Sequence, residues 1–200
     1  MKDDDFQIEL GKTLRRRVDN KPSPMEDRAF VSRAVDNPQS DEWPVFLHLN
    51  AIQAIEQHVS ADLEAERGGV LLGLFCEGKK GPYIEVRDII TADSAKGTEV
   101  SLTFTHDAWQ SIHEQMARRG DNLQVVGWYH SHPGLGVFLS EEDQLLHSGF
   151  FAEPWQIALV VDPVGHDWRC FAKKGEVLQE TQGFHIYAPV SYTHLTLPTN

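Results

Sequence analysis

The strongest constraint on the fold of this chain is a short apolar run, residues 125–129 (VVGWY), that ends in the sequence HSHPG. The run is β-branched and aromatic and is stopped by turn residues, which predicts a buried β-strand. Alternate side chains of a strand lie on the same face. His130 and His132 are therefore expected on one side of the strand's end, about 6.6–7 Å apart along the chain. Two imidazoles in this arrangement can bind one metal ion.

A helix start follows ten residues later. Ser140 precedes three acidic residues and an apolar pair, a pattern typical of an N-cap with acids in the first turn. Asp143 then lies one turn into the helix and can supply a third ligand. Two histidine nitrogens and a carboxylate oxygen suit Zn²⁺, with the fourth position open for water, as in catalytic zinc sites. The alternatives are histidines held by local hydrogen bonds, and Ser140 with Asp143 acting only as a capping box.

The spacing His-x-His, seven residues, Ser, two residues, Asp resembles the signature of the JAMM (MPN-plus, JAB/MPN) zinc metalloproteases. The residues around it, 127–134 (GWYHSHPG), resemble the catalytic deubiquitinase subunits of the proteasome lid and the signalosome, which have prokaryotic relatives. The family also needs a glutamate before a glycine-rich apolar strand. Glu66, ahead of residues 68–73 (GGVLLG), matches that element, with nearby Glu64 as a competitor. The resemblance covers roughly residues 45–174.

The resemblance implies an α/β fold, a mixed β-sheet flanked by helices in the MPN/JAMM, cytidine-deaminase-like arrangement. It also implies a zinc-dependent isopeptidase that hydrolyses the amide bond after the C-terminal glycine of ubiquitin or a ubiquitin-like modifier. His130, His132 and Asp143 would bind zinc, Glu66 would be the general base for the attacking water, and Ser140 would donate a hydrogen bond to the developing oxyanion. Relatives bind the modifier's tail along a strand edge, for which we nominate residues 98–104.

Two other functions remain open at this point. The first is a JAMM peptidase that processes another small carrier or precursor protein with the same zinc chemistry. The second is a non-catalytic MPN scaffold that holds partner subunits. Scaffolds of this kind usually lack the zinc ligands, whereas His130, His132 and Asp143 are all present in this chain. The sequence gives no indication of the oligomeric state.

Composition and charge exclude several classes of partner. The formal net charge of −12 argues against nucleic-acid binding and against adhesion to an anionic membrane, since both need a basic face. The first residues (MKDDD) lack the apolar segment of a signal peptide, and no apolar run approaches the ~20 residues of a membrane helix. Cys76 and Cys170 lie in apolar, strand-like segments, which favours buried thiols over a disulfide. We therefore expect a cytoplasmic protein.

Three regions are expected along the chain. Residues 1–42 are polar, contain Pro22, Pro24 and Pro38, and are predicted to form a leader that either packs on the domain or lies free. Residues 43–190 form the predicted JAMM/MPN metalloprotease domain. Residues 191–200 differ from the rest and resemble a translated sequencing adaptor, so we expect a non-native tail.

Within the predicted domain the pattern gives strands at 45–49, 68–76, 83–90, 100–104, 157–161, 168–172 and 177–178. One helix is expected from an Asn50 cap through Leu63, and another from a Thr105 cap. His147 lies four residues after Asp143, and we expect it near the site or at the surface rather than as a ligand. Gly134 and Gly136 are expected to let the following loop pass close to the metal.

Overall fold

The computed structural model describes residues 17–39, 42–92, 96–97, 102–151, 153–175 and 177–192. These residues form an α/β fold. Its strands are β1 (Val18–Asn20), β2 (Phe30–Asp36), β3 (Val45–His48), β4 (Gly68–Gly78), β5 (Gly81–Thr91), β6 (Lys96–Gly97), β7 (Leu102–Thr103), β8 (Gln124–Ser131), β9 (Ile157–Asp162), β10 (Asp167–Lys174), β11 (Val177–Glu180) and β12 (Gly183–Pro189). Its helices are α1 (Leu49–Val59), α2 (His106–Arg118), α3 (Glu141–Phe150) and a 3-10 turn (Val190–Tyr192).

Ten of the strands form one mixed sheet. Its order is β11-β10-β9-β8-β4-β5-β3-β12-β2, with β1 pairing alongside the last residues of β4. The β8–β9, β3–β5 and β3–β12 pairs are parallel, and the β4–β5 and β4–β8 pairs are antiparallel. β6 and β7 form a separate two-stranded ribbon. The mixed sheet predicted from the sequence is therefore confirmed.

Helices cover both faces of this sheet because the central strands are apolar on both faces. Along β9, Ile157 and Leu159 join the core that contains the apolar stripe of α1, while Ala158 and Val160 join the opposite core. That second core also takes apolar residues of α2 and α3. The predicted position of the helices on both sides of the sheet is therefore confirmed as well. In the part of the chain that the structure describes, no helix combines the length and apolarity needed to cross a bilayer.

The predicted start and end of α1 and one predicted strand need correction. Asn50 was predicted to cap α1, but the cap is His48, whose Nδ1 accepts a hydrogen bond from the Asn50 backbone N–H at 3.1 Å. The helix ends at Val59, so Leu63 lies beyond it and is exposed. The predicted Thr105 cap of α2 is confirmed. Of the strand predicted at 100–104, the structure assigns only Leu102–Thr103, and residues 98–101 lie outside the described residues.

The described part of the predicted leader belongs to the main sheet. β2 pairs along the whole of β12, and β1 continues the sheet beside β4. The predicted boundary at residue 43 therefore falls inside the sheet. The pairing has a physical reason, since β12 would otherwise expose an unpaired edge. The rest of the leader, residues 1–16 and 40–41, and most of the predicted tail, residues 193–200, lie outside the described residues.

A buried charge network fastens this N-terminal segment to the sheet. Glu85 of β5 is 1% exposed and forms an ion pair with Lys21, which follows β1. Its carboxylate also accepts hydrogen bonds from Tyr187 Oη at 2.5 Å and from Arg87 Nε at 2.8 Å. Burial raises the pKa of Glu85, but the bonds from Lys21, Tyr187 and Arg87 outweigh it, and the pKa lies below its ordinary value. Glu85 is thus a buried anion that its partners neutralise.

Glu85→Ala is expected to lower the free energy of unfolding by about 1–3 kcal/mol, because it leaves the buried Tyr187 hydroxyl without its acceptor and the partly exposed Lys21 and Arg87 without their counter-charge. Urea denaturation measures this change. Glu114→Ala is the matched control, since its exposed pair with Arg118 on α2 contributes at most about 0.5 kcal/mol. Equal effects of the two substitutions would contradict the structural importance of the network.

Candidate metal centre

Strand β8 brings two histidines to one point at its end. His130 and His132 are 0% and 2% exposed, and their Nε2 atoms lie 3.0 Å apart. The backbone N–H of His132 donates to the carbonyl of Val161 at 2.8 Å, which extends the pairing with β9 past the last residue of β8. Both rings lie on one face, as expected from strand alternation.

Helix α3 brings a carboxylate to the same point. Ser140 is the N-cap, and its hydroxyl and backbone N–H both donate to Asp143 Oδ2 at 2.8 Å, while the Asp143 N–H donates back to the Ser140 oxygen. This capping box fixes the Asp143 side chain. Its Oδ1 lies 3.3 Å from His130 Nε2, and its Oδ2 lies 3.8 Å from His132 Nε2. The capping interpretation of Ser140 thus holds alongside any role it has at the site.

The register of β4 against β8 carries Glu66 to the other side of His132. The Ser131 N–H donates to the Arg67 carbonyl at 2.8 Å, and the Arg67 N–H donates to the Ser131 hydroxyl at 3.0 Å. Glu66, one residue earlier, is 4% exposed, and its Oε1 lies 3.4 Å from His132 Nε2. Its Oε2 has no hydrogen-bond partner among the described residues. Glu64, the competitor, is exposed.

Burial shifts the pKa values of these groups in different directions. It raises the pKa of Glu66 to about 7, with a further contribution from the charge of Asp143. Burial, with the charge of His130, lowers the pKa of His132 to about 4. For Asp143 burial acts upward, but the hydrogen bonds and charge of His130 and the bonds from Ser140 outweigh it and lower the pKa to about 2. The centre thus holds an ionised carboxylate next to a neutral imidazole at neutral pH.

These residues fit a zinc ion. His130, His132 and Asp143 each offer one ligand atom, and the three atoms lie within 4.8 Å of one another. Zinc bonds of ~2.0–2.1 Å at tetrahedral angles separate ligand atoms by about 3.3 Å. The measured separations of 3.0, 3.3 and 3.8 Å lie around that value. Two nitrogen atoms and a carboxylate oxygen that face one another in a buried site form a donor set that a bound cation would satisfy.

Aromatic residues support His130 from behind. Trp128 stacks on its ring with centroids 4.6 Å apart, and the Trp128 indole N–H donates to His147 Nδ1 at 3.1 Å. His147 is 1% exposed, so a surface position is wrong and a place near the site is confirmed. Burial, with the charge of Lys173, lowers the pKa of His147 to about 4. It therefore serves as a neutral acceptor for Trp128.

The loop after His132 contains the two glycines that were predicted to let it pass close to the metal. Gly134 and Gly136 have φ angles of +71° and +86°, a left-handed conformation that other residues adopt at a cost. A Cβ at Gly136 would meet no atom within 4 Å, and one at Gly134 would only touch Val164 at 4.0 Å. The described residues thus show a requirement for backbone conformation at both glycines, and the passage of the loop close to a metal stays a prediction.

A cleft of about 210 Å³ opens beside the centre, lined by Leu63, Glu64, Ala65, Pro133 and Leu135. Its lining residues directly precede Glu66 and directly follow His132 in the sequence. The strand edge nominated for a modifier's tail, residues 98–104, lies partly outside the described residues. Its described part includes β7, which pairs with β6.

The fold and this centre together define the class: an α/β domain with a buried His–His–Asp group that could hold a metal ion, and an adjoining glutamate. Residues 44–152 match the family described as "JAB1/Mov34/MPN/PAD-1 ubiquitin protease". Because the match covers more than half of the chain, the chain belongs to this family.

Several curated proteins are similar to the chain. It is 32% identical over 142 residues to the uncharacterized protein F37A4.5 of Caenorhabditis elegans, which is 70% of this chain and 43% of that protein. It is 31% identical over 122 residues to ubiquitin carboxyl-terminal hydrolase RPN11 of Saccharomyces cerevisiae, covering 60% and 39%. It is 35% identical over 125 residues to COP9 signalosome complex subunit 5a of Arabidopsis thaliana, covering 58% and 33%. The matches span less than half the length of these relatives.

Proposed function

We propose that this protein is a zinc-dependent isopeptidase that hydrolyses the amide bond after the C-terminal glycine of ubiquitin or a ubiquitin-like modifier. The observation that carries the proposal is the convergence of four buried side chains, those of Glu66, His130, His132 and Asp143, within a few ångströms. The name of the yeast relative, a ubiquitin carboxyl-terminal hydrolase, supports the substrate class.

Each side chain has a role that its position supports. His130, His132 and Asp143 would hold Zn²⁺, which supplies Lewis-acid activation of a water molecule and of the scissile carbonyl. Glu66 Oε1 accepts a proton from the attacking water and then delivers it to the leaving amine nitrogen. The Ser140 hydroxyl turns from Asp143 to donate a hydrogen bond to the carbonyl oxygen as that oxygen gains charge. Hydrolysis then needs no covalent acyl-enzyme.

A non-catalytic scaffold is disfavoured by the same geometry. A scaffold has no use for a nearly buried carboxylate such as Glu66, with one oxygen unpartnered among the described residues, next to His132. Burying such a group is costly unless a function maintains it.

A cytoplasmic location belongs to the same proposal. It is supported by Cys76 and Cys170, both buried and free as predicted, since thiols stay reduced in that compartment.

The experiment that tests the function combines metal analysis with substrate cleavage. The full chain loaded with zinc is incubated with ubiquitin chains and with ubiquitin-like fusions, and products are read by intact mass. We expect one zinc per chain and release of a modifier that ends in its C-terminal glycine. Cleavage of another carrier or precursor protein alone would replace the substrate class, and stoichiometric zinc without any cleavage would favour the scaffold.

Ser140→Ala is expected to lower kcat by about 10²–10³-fold, the usual effect of losing an oxyanion donor. The loss of its capping bonds should cost only about 1 kcal/mol of unfolding free energy, so the chain stays folded. Steady-state kinetics and thermal unfolding separate the two effects. Ser148→Ala, at a hydroxyl near the other end of α3 that bonds only backbone carbonyls, is the matched control. If Ser140→Ala keeps the wild-type kcat, Ser140 acts only as a helix cap.

A further inference from the structure

A carboxylate outside the proposed zinc ligands organises the loop that follows His132. Asp162, at the end of β9, is 5% exposed and accepts four backbone hydrogen bonds. Two come from its own turn, from Val164 at 2.9 Å and Gly165 at 3.0 Å. The other two come from the distant loop, from Gly134 at 2.8 Å and Gly136 at 3.1 Å. The carboxylate thus joins the β9–β10 turn to the loop.

The loop in turn holds one of the histidines. The carbonyl of Gly136 lies 3.2 Å from His132 Nδ1. A carbonyl oxygen only accepts, so Nδ1 must carry the proton. A neutral imidazole protonated at Nδ1 has its lone pair on Nε2, the atom that faces His130 and Asp143. The Gly136 carbonyl therefore selects the tautomer that can bind a metal.

The second histidine has no comparable support. Within the described residues, Nδ1 of His130 has no hydrogen-bond partner and is buried. His130 is oriented instead by stacking on Trp128. Among the described residues, His132 is thus the one of the two histidines that a hydrogen bond from outside the ligand set orients, as Ser140 does for Asp143.

We propose that Asp162 is a positioning residue of the metal centre, which holds Gly134 and Gly136 so that the Gly136 carbonyl fixes the His132 ring and its Nδ1–H tautomer. The proposal rests on the proposed zinc site. Hydrogen-bond partners of metal-binding histidines commonly change metal affinity 10–100-fold when removed. Asp162 does not contact the His132 ring itself but acts on it through the loop backbone. Gly134 and Gly136, both in the left-handed conformation, have no side chains that could hold this backbone in place.

The turn alone does not account for this residue. A carboxylate that served only the β9–β10 turn would need only the bonds to Val164 and Gly165, and an asparagine oxygen could accept those. All four bonds require both oxygens of Asp162, because Gly134 binds Oδ1 and Gly136 binds Oδ2. In Asp162→Asn one of these oxygens becomes an NH₂ donor that faces a backbone N–H. The substitution is therefore nearly isosteric but loses a loop bond in either orientation of the amide. An NH₂ at the Oδ2 position opposes the Gly136 N–H, and one at the Oδ1 position opposes the Gly134 N–H together with both turn N–H groups.

The test compares wild type with Asp162→Asn in the full chain. Zinc affinity is measured by chelator competition, and the His132 ring nitrogens are observed by ¹⁵N NMR in the metal-free protein at neutral pH. We expect the zinc dissociation constant of Asp162→Asn to rise at least tenfold and its His132 to lose the single Nδ1–H tautomer. Asp167→Asn, at a partly exposed aspartate across the same turn that bonds Trp168 and Arg169, should change neither.

Two results would overturn the proposal. One is Asp162→Asn with wild-type zinc affinity and the wild-type His132 tautomer. The other needs no variant: folded wild type in which the proton of His132 resides on Nε2, which also decides the matter if Asp162→Asn does not fold. Both readouts are independent of cleavage, so a chain that binds zinc but hydrolyses no conjugate would refute the proposed function and leave this inference standing.

Discussion

Glu66→Gln is expected to lower the cleavage rate by about 10²–10⁴-fold while the protein still binds one zinc per chain. Glutamine keeps the size of the side chain, but its amide oxygen is too weak a base to take a proton from water. Glu66 also lies outside the trio that offers ligand atoms, with Oε1 3.4 Å from His132 Nε2. Steady-state kinetics on a ubiquitin conjugate, with zinc measured by atomic absorption on the same sample, gives both quantities.

The chain supplies a matched control for this substitution. Glu64 lies two residues earlier, is exposed, and was the competing candidate for the same role. Glu64→Gln removes the same charge from the same segment and should leave the rate within about twofold. Loss of zinc in Glu66→Gln would make Glu66 a ligand rather than a base. A wild-type rate in Glu66→Gln would show that another group moves the proton.

The parts of this molecule that sequence predicts are those set by local periodicity and spacing. The buried run before His130 has strand character in itself, and alternation alone puts His130 and His132 on one face. Ser140 and Asp143 form a capping pattern that is local in the sequence, so the helix start can be predicted from these two residues. The resemblance to a family placed Glu66 in the site, because nothing local connects a residue to one 64 positions later.

What the sequence could not give depends on pairing between distant segments. β2 lacks a clear alternating pattern and becomes a strand because it pairs along β12, which itself pairs with β3 on its other side. In the sequence alone Lys21 is an ordinary polar residue, and its ion pair with Glu85 forms only because β1 joins the sheet. Asp162 reads as a turn residue before Pro163, and its local role in the turn is real. Its bonds to Gly134 and Gly136 appear only when β8 and β9 lie side by side.

Asp143→Ala is expected to abolish stoichiometric zinc binding and, with it, all cleavage. The substitution leaves only His130 and His132, and two imidazoles are one ligand short of the three that catalytic zinc sites use. Zinc content after dialysis against a weak chelator measures the loss. Since the carboxylate also accepts the Ser140 N–H and hydroxyl, the same change removes half of the capping box and should cost a further ~0.5–2 kcal/mol of unfolding free energy.

A control must therefore separate the ligand from the cap. Ser140→Ala removes the hydroxyl side of the capping box and leaves the Asp143 carboxylate in place, so it should keep its zinc while losing a similar share of stability. If both variants lose zinc equally, the metal depends on the helix start rather than on the Asp143 oxygen. If Asp143→Ala keeps a full equivalent of zinc, His130 and His132 bind it with some other group, and the proposed ligand set is wrong. If Ser140→Ala keeps its zinc and Asp143→Ala loses it, the Asp143 carboxylate is identified as the third ligand.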